Sequence, residues 1–566
     1  MARSMLWANY RRDKVRGQTI AVPSPFDDDG TTYYWYDRIA LMAHEWAAAG
    51  YTDVLFPNPI VGVGGPYPTQ DGYGPHDDYN CGDEKWPTRF GTFDQLRRAI
   101  AVCHANGLSV HLDHVMHQRA GGRGGVYSYK GSRGPGRFPK FPGCFRGGKP
   151  PYVPQDPVPA PADDFSFGDE LCPVNSVPKG YVWNGLIDAG DWLFRTIDAD
   201  GARLDCTKGM AISFVNAFMN SKVMKEKWFF GEFASGNPDD LNWWIGQTGG
   251  RASTLDFNFH YEAVMPMCNN AGVGNFNMGS LSWRGLSKSN PMKAVPFVES
   301  MDSDVNGFAT VVFNKILGYA LMHGSEGLPM AYIRDYLQEP DCYGLRKPMQ
   351  NLAWISNKLA AGGTIPRLTS DPKVYIAERT GGAGLIMALN NDVWDPNWKT
   401  RTIETLHPPG TEMKDYTGKN NSHVWVQADG TLTIGIPPGA NGTGYGMWAP
   451  VGHDGPVEIK PRRTTHVFFL ADDLKPNAAA RNGTMKLGKI CVAKDSAIVS
   501  RAFTYQKIPG ATIKTFFVNE FGKPVVGYAP ADGDYDVVAV CEGMPDEGAK
   551  AEIEVSYMAP KRPLID

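Results

Sequence analysis

Residues 93–115 read FDQLRRAIAVCHANGLSVHLDHV, and this stretch decides the fold. Apolar residues recur at helical spacing from Phe93 to Cys103, and Gly107 stands where it can stop a helix. The run LSVHLDHV follows at once and is typical of a buried parallel strand. A helix that leads directly into such a strand is one unit of an alternating α/β fold.

The same alternation extends from about residue 17 to residue 362, and its first helical segment is YDRIALMAHEWAAAG at 36–50. Together with LSVHLDHV, the short apolar runs predict eight strands: QTIAVPSPF (18–26), YTDVLFPNP (51–59), LSVHLDHV (108–115), DGARLD (200–205), WFFGEF (228–233), STLDF (253–257), AVPFVES (294–300) and LPMAYI (328–333). Eight such units favour a (β/α)8 TIM barrel over a doubly wound sheet.

A long irregular segment interrupts the pattern after the third strand. Residues 121–178 are crowded with Gly and Pro and show no helical period. Loops of this length inside a compact fold are usually functional, and this one emerges on the face where barrel active sites lie. We therefore predict a barrel of residues 1–116 and 181–364, with a loop-rich domain B inserted at 117–180.

The character of the chain changes after about residue 365. Short β-rich runs with turn signals predict a β-sandwich at 365–473 and a β-rich accessory domain at 474–566. Within the accessory domain, a β-rich unit at roughly 485–559 follows the loop at 476–478. The predicted fold class is therefore α/β, a (β/α)8 TIM barrel with an irregular insertion after strand 3, followed by C-terminal β-sandwich domains.

Composition excludes several classes of protein. The formal net charge of −4 argues against a nucleic-acid or polyanion binder, and no apolar stretch approaches the ~20 residues that cross a membrane. The first residues lack the apolar core of a signal peptide, so we expect a cytoplasmic protein, or a secreted one whose signal peptide is absent from this chain. The nine cysteines form no CxxC pair, so we expect no zinc site.

Three acidic residues, Asp205, Glu232 and Asp302, follow or end three different predicted strands. Arg203 precedes Asp205 by two residues, so both side chains point to the same face of a strand, and the cation favours an ionised carboxylate. An ionised nucleophile with a protonated partner carboxyl is the pair that retaining glycoside hydrolysis uses. A third carboxylate can stabilise positive charge at the reacting carbon.

Four motifs then occur in order on the expected strands: HLDHVMHQRAGG (111–122), DGARLDCTKG (200–209), FFGEFASG (229–236) and FVESMDSD (297–304). DGYGPHDDYN (71–80) and GLPMAYIRD (327–335) support them. Over about residues 17–470 the sequence resembles the α-amylase family of glycoside hydrolases.

The resemblance implies a role for each matching residue. Asp205 matches the nucleophile, Glu232 the general acid/base and Asp302 the transition-state stabiliser. Tyr73 matches an aromatic residue that stacks on the sugar being cleaved, Asp77 its supporting acid, and Lys208 a residue on the leaving-group side. The full set of expected substrate-binding residues is Arg203, Asp113, Tyr73, Asp77, Lys208, Gln118 and His117.

Two departures from the family pattern fall inside the site. The family usually has Asn-His where this chain has His117-Gln118, and His-Asp where it has Met301-Asp302. Gln118 can still donate a hydrogen bond to a sugar hydroxyl, whereas methionine cannot. We expect the pocket to be rearranged, with Gln118 or His117 reaching those hydroxyls; the alternative is a slower enzyme, or one for a sugar that differs there.

The same region bears on metal binding. Many family members bind a structural calcium ion through residues that correspond to His117 and Gly209, and neither side chain supplies the oxygen ligands that calcium prefers. We therefore expect no metal or other cofactor at that position. His111, His114 and His117 also recur near this strand, and we expect packed, hydrogen-bonded histidines rather than metal ligands.

The resemblance implies retaining cleavage of α-1,4-glucosidic bonds in starch or maltooligosaccharides through a covalent glycosyl-enzyme intermediate. The expected partner is the α-glucan or maltooligosaccharide substrate, with no nucleic acid and no membrane. These motifs leave open an α-glucan transglycosylase that uses the same site. Loss of the two histidines also leaves open an inactive glycan-binding relative.

Overall fold

The computed structural model describes most of the 566-residue chain. The described residues are 4–8, 14–15, 18–19, 35–62, 72–83, 86–120, 122–123, 126–127, 137–146, 155–157, 169–269, 276–304, 309–337, 342–367, 369–453, 463–470, 484–504, 510, 512–543 and 551–558.

Eight parallel strands form the central barrel: β1 Met5–Trp7, β2 Asp53–Phe56, β3 Ser109–His114, β4 Gly201–Leu204, β5 Trp228–Gly231, β6 Ser253–Leu255, β7 Ala294–Val295 and β8 Met330–Tyr332. Each strand pairs with its neighbour in sequence, and β8 pairs with β1. A parallel bridge between Phe297 and Met330 closes the ring on the β7 side. The chain is therefore a TIM barrel, as the alternating pattern predicts.

Ten α-helices accompany the strands: α1 Trp35–Ala49, α2 Phe93–Ala105, α3 Tyr181–Ile197, α4 Ile212–Met219, α5 Pro238–Gln247, α6 Met265–Asn269, α7 Leu286–Ser289, α8 Lys315–Gly324, α9 Ile333–Tyr336 and α10 Arg346–Leu359, counted over the described residues. Short 3-10 or π-helical turns occur at Pro142–Cys144, Thr207–Gly209, Lys222–Glu226, Phe259–Val264, Met278–Ser282 and Ala440–Gly442. Within the described part of the chain, no helix is long and apolar enough to span a bilayer.

The unit at 93–115 has the structure that its sequence predicts. The Thr92 side chain caps α2 by accepting from the Gln95 backbone N–H, and the Gln95 side chain accepts from the Thr92 N–H, which satisfies two donors of the first turn. Gly107 adopts a φ of +80°, which a residue without Cβ tolerates, and the chain turns into β3.

The predicted first strand is wrong. The barrel strand is Met5–Trp7, which pairs with β2 and β8, whereas Gln18–Thr19 pairs antiparallel with Lys14–Val15 outside the barrel. Residues 20–26 of the predicted strand lie outside the described residues. A run of three residues is too short to register as a strand pattern beside the longer apolar run QTIAVPSPF.

The predicted insertion leaves the barrel directly after β3. Gln118–Arg119 pairs antiparallel with Asp169–Glu170, so the two ends of the insertion meet beside the barrel. Further short elements are the hairpin of Gly122–Arg123 with Val126–Tyr127 and a bridge between Phe145 and Leu171. Gln118, the first residue of the 118–119 strand, is therefore placed next to the carboxyl end of the barrel.

Antiparallel β structure follows the barrel. One unit contains strands Ala360–Pro366, Val374–Gly382, Ile386–Asn390, Lys399–Glu404, Glu412–Asp415, Val424–Trp425, Thr431–Ile436 and Tyr445–Pro450. The next contains strands Arg463–Leu470, Thr484–Val492, Val499–Thr504, Thr512–Val518, Pro524–Val525, Gly533–Glu542 and Ala551–Met558. Arg463–Leu470 pairs with Ala551–Met558 in the last unit, so this strand, placed by the sequence in the 365–473 domain, joins its C-terminal neighbour.

Candidate active site

Three acidic side chains meet at the carboxyl end of neighbouring barrel strands. Asp113 lies in β3, Asp205 directly follows β4, and Glu232 directly follows β5. The parallel register places Arg203 of β4 opposite Asp113. Consecutive strands thus bring together residues that are 119 positions apart along the chain, at the end of the barrel where active sites lie.

One guanidinium contacts all three carboxyl groups. Arg203 is fully buried, and its Nη1 donates to Asp113 Oδ1 and, at 2.9 Å, to Asp205 Oδ1. Its Nη2 lies 2.8 Å from Glu232 Oε2. The prediction that Arg203 and Asp205 share one face of the strand is confirmed, and this arginine ties the cluster together.

The carboxyl groups compete for that single positive charge. Burial raises the pKa of Asp205 well above its usual value; Arg203 opposes this shift, and the charge of Glu232 reinforces it. Burial also raises the pKa of Glu232, against the lowering effect of Arg203 and of the Cys206 backbone N–H, which donates to Glu232 Oε2 at 2.9 Å. Such a cluster favours keeping a proton on one of its carboxyl groups.

Tyr73 packs on the other side of Asp113. Its hydroxyl donates to Asp113 Oδ2 and lies 3.5 Å from Met301 Sδ, and its ring centroid is 5.9 Å from the Arg203 guanidinium carbon. Asp77, which the resemblance implies as the supporting acid of Tyr73, accepts at 3.1 Å from the backbone N–H of Tyr79 in its own loop. The hydrogen-bonded carboxylate partner of Tyr73 is therefore Asp113.

Gln118 reaches the candidate nucleophile. Its Nε2 donates to the Tyr73 carbonyl at 3.1 Å and lies 3.3 Å from Asp205 Oδ2, while Arg203 Nη1 donates to Asp205 Oδ1. His117 is buried, with its Nδ1 2.9 Å from Gln118 Oε1. The two residues that depart from the family pattern therefore contact each other beside Asp205.

Asp302 and Lys208 stand at the edge of the cluster. Asp302 is partly exposed and lies with Glu232 beside a small cavity of about 50 Å³ that Tyr261, Phe297 and Ser303 also line. Lys208 lies on the turn after β4, and its Nζ donates to the Ala234 carbonyl at 3.0 Å, two residues beyond Glu232. The structure thus brings both residues to the rim of the site.

Several residues of the site escape sequence reasoning. Tyr261 and Ser303 line the cavity, and the Cys206 N–H binds Glu232. Ser303 stands inside the motif FVESMDSD, and Tyr261 follows the predicted strand STLDF by four residues, so their positions gave a usable signal. The Cys206 contact gave none, because every residue except proline supplies a backbone N–H.

The histidines around β3 make packing and hydrogen-bonding contacts. His111 Nε2 lies 2.8 Å from Asp53 Oδ1, and the His114 ring stacks on Phe218 at a centroid distance of 5.4 Å. These contacts are those expected of packed histidines. Among the residues that the structure describes, no group of three or more His, Cys, Asp or Glu side chains is arranged to hold a metal ion.

The chain is similar to known proteins in its β domain and along most of its length. Residues 385–449 match the α-amylase C-terminal family model. An α-amylase of Geobacillus stearothermophilus is 24% identical over 519 residues, which cover 77% of this chain and 89% of the relative. A glucan 1,4-α-maltohexaosidase of Bacillus sp. (strain 707) is 24% identical over 47% of this chain and 52% of its own.

Solved structures share the fold. An Anoxybacillus α-amylase aligns over 80% of this chain and 99% of its own, with a TM-score of 0.57 and 17% identity. A γ-CGTase from alkalophilic Bacillus clarkii aligns over 97% of this chain and 82% of its own, with a TM-score of 0.58 and 18% identity. In its barrel fold, its ordered motifs and its matched C-terminal domain, this chain is thus similar to the α-amylase family of glycoside hydrolases.

Proposed function

We propose that the protein cleaves α-1,4-glucosidic bonds in starch or maltooligosaccharides with retention of configuration. The observation that carries this proposal is the shared contact of Asp205 and Glu232 with the Arg203 guanidinium. These contacts bring the two carboxyl groups near each other, and retaining enzymes hold such a pair about 5–5.5 Å apart. Inverting enzymes space the pair more widely, to leave room for a water molecule.

Asp205 acts as the nucleophile in this proposal. Donors stand at both of its oxygens, Arg203 at Oδ1 and Gln118 at Oδ2, and both favour the ionised form that attacks the anomeric carbon. As the new C–O bond forms, the bond to the leaving sugar breaks. Glu232, which lines the same cavity as Asp302, gives its proton to the departing oxygen.

The second half of the reaction reverses these roles. Glu232, now ionised, takes a proton from water, and the resulting hydroxide oxygen displaces Asp205 from the anomeric carbon. Asp302 lies at the rim beside Glu232 and is placed to stabilise positive charge on the sugar ring. Tyr73, held by Asp113, offers an aromatic ring to the sugar, and Asp77 and Lys208 complete the proposed binding set.

We also propose that the family's calcium position is not a metal site in this protein. Gly209 offers no side-chain ligand, and a Cβ built on it would lie 2.4 Å from His117 Nε2, so the imidazole fills the space beside this backbone. Imidazole is a poor ligand for a hard cation that prefers oxygen. The residues present therefore do not fit calcium, and no catalytic step is assigned to a metal.

The test is turnover of maltoheptaose by the wild-type protein, with products resolved by chromatography and initial anomers observed by proton NMR. We expect shorter maltooligosaccharides whose new reducing ends are initially α. Products longer than the substrate would identify a transglycosylase instead. Initial β-anomers would contradict retention, and no turnover of maltoheptaose or soluble starch would overturn the proposed function in favour of an inactive relative.

A further inference from the structure

The Gln118 side chain makes three polar contacts that together define its orientation. Its Oε1 lies 2.9 Å from His117 Nδ1, and its Nε2 lies 3.1 Å from the Tyr73 carbonyl and 3.3 Å from Asp205 Oδ2. Rotating the amide by 180° would turn Oε1 toward a carbonyl and a carboxylate, both of which can only accept. The contacts therefore agree with one orientation, in which the NH2 group faces the nucleophile.

His117 contacts the oxygen end of the Gln118 amide. With Nδ1 protonated, the imidazole donates to Gln118 Oε1 and disfavours the rotated amide, which would set NH2 against this N–H. Gln118 is itself buried, so an unsatisfied amide group there would be costly. The hydrogen bond from His117 thus favours an NH2 group that faces Asp205.

The position of the imidazole is itself constrained. Its Nε2 lies 3.8 Å from Glu170 Oε2, on the strand that pairs with Gln118–Arg119. On its other side the ring packs against Gly209, where a Cβ would approach Nε2 to 2.4 Å. Gly209 belongs to the turn that directly follows Asp205 and Cys206, so the ring is wedged between the insertion and the nucleophile's own loop.

We infer that His117 is a positioning residue, which orients the Gln118 amide so that its NH2 group donates to Asp205 rather than its carbonyl facing it. His117 thus acts on the reaction through Gln118 and need not touch the sugar. The inference rests on the proposed function, because it concerns the nucleophile of that reaction. It also explains why two unusual residues stand side by side, since neither alone would fix the donor.

The experiment compares two substitutions of His117 in two backgrounds. H117N places an amide N–H close to the position of Nδ1 and keeps the donor, whereas H117L removes it. Each is made in the wild type and in Q118M, in which the amide is missing, and kcat and KM for maltoheptaose and the Tm are measured. Wild-type turnover is measured first, so that an inactive wild type overturns the proposed function and this inference together.

With an active wild type, we expect H117L to lower kcat/KM about tenfold or more, chiefly through kcat, and H117N to stay within about threefold. In the Q118M background, H117L should change kcat/KM less than about twofold. Equal losses in both backgrounds would show that His117 only packs the loop, and this would overturn the inference while leaving the proposed function intact. A wild-type kcat/KM for H117L would overturn it as well.

A second variant covers the case in which H117L fails to fold. G209A leaves His117 unchanged but displaces its ring, because the added Cβ has no room beside Nε2. We expect the same pattern, with a loss of kcat/KM in the wild-type background and almost none in Q118M. A loss of the same size in both backgrounds would contradict the inference.

Discussion

Two clusters of buried or partly buried carboxyl groups lie at the same end of the barrel, and they differ in charge balance. In the catalytic cluster, one guanidinium contacts three carboxyl groups, and a fourth stands at the rim; its members are Arg203, Asp113, Asp205, Glu232 and Asp302. The β7–β8 cluster combines three carboxyl groups with two cations; its members are Glu299, Asp304, Asp335, Lys315 and Arg334.

The β7–β8 cluster is closely paired. Lys315 Nζ lies 2.8 Å from Glu299 Oε2 and 2.8 Å from Asp335 Oδ1, and Arg334 pairs with Asp304. The Tyr319 hydroxyl also donates to Asp335 at 2.6 Å. Glu299 and Asp304 flank Asp302 in its loop, and Lys315 and Arg334 connect them to the segment after β8. These contacts suit a supporting role for the cluster.

The comparison shows what distinguishes a reactive cluster from a supporting one. Burial raises carboxyl pKa values in both clusters. Among the residues named above, the catalytic cluster has three more carboxyl groups than cations, whereas the β7–β8 cluster has only one more. Perturbed carboxyls with surplus charge are typical of functional sites, and compensated networks are typical of structural ones. Substitutions should therefore act on activity in the first cluster and on stability in the second.

The largest expected effect is the loss of catalysis in the first cluster. Asp205→Asn should lower kcat by about 10⁴-fold or more, and Glu232→Gln by roughly 10²–10⁴-fold, because each removes a bond-forming or proton-transfer group. Asn at 205 also removes a buried charge, so the Tm should stay unchanged or rise by about 1–3 °C. Enzyme assays and thermal melts of the same samples test the expected loss of kcat and the expected Tm. A steep fall in Tm with Asp205→Asn would contradict the view that this cluster serves activity rather than stability.

The second prediction concerns Lys315. Lys315→Met should lower the free energy of unfolding by about 3–5 kcal/mol, because it leaves Glu299 and Asp335 buried without their cation. The control is Lys486→Met, which removes a more exposed pair with Asp536 at 2.9 Å and should cost about 0–1 kcal/mol. Thermal and urea unfolding compare the two, and equal losses would mean that Lys315 does not organise its cluster.

The third prediction concerns the pH dependence of stability. Burial, opposed by Lys315, raises the pKa of Glu299 from 4.5 to about 7. The folded protein then holds a proton that the unfolded chain has already lost, so this group's contribution is fully present below pH 4.5 and is lost as the pH rises to about 7. Glu299→Gln should make the decline of Tm between pH 4.5 and 7 shallower, and an unchanged decline would contradict the raised pKa.

The smallest expected effect is that of a chelator. A bound cation would alter the charge balance of either cluster, and we propose that none occupies the position of His117 and Gly209. EDTA should therefore shift the Tm by less than roughly 1 °C, a change equivalent to a few tenths of a kcal/mol. A large fall in Tm that added calcium reverses would show that the protein binds a stabilising cation, and it would contradict the charge balance described above.

The sequence predicts the fold well where its patterns are local. Helix α2, its cap and β3 follow from spacing and from Thr92, Gln95 and Gly107, which act within a few residues of each other. The barrel's first strand does not follow in this way, because Met5–Trp7 is identified by its pairing with distant β8 rather than by its own pattern.

In the candidate site, too, contacts between nearby residues could be predicted from the sequence, and contacts between distant segments could not. Arg203 and Asp205 share a face because strand residues alternate, so their contact could be predicted from two positions. The contact of His117 with Gly209, and the cluster around Lys315, depend on how separate segments pack in space. No spacing rule gives such contacts, which is why the sequence showed that Gln118 departs from the family but not what holds its amide.

The most direct test of the central claim is the identity of the residue that bonds to the sugar. In Glu232→Gln, an α-maltosyl fluoride can still react, because fluoride leaves without a proton, but no base remains to activate water for the second step. The glycosyl-enzyme should accumulate, and peptide mass spectrometry should find one maltosyl group on Asp205. A maltosyl group on any other residue, or a protein that turns over the fluoride without becoming labelled, would contradict the account.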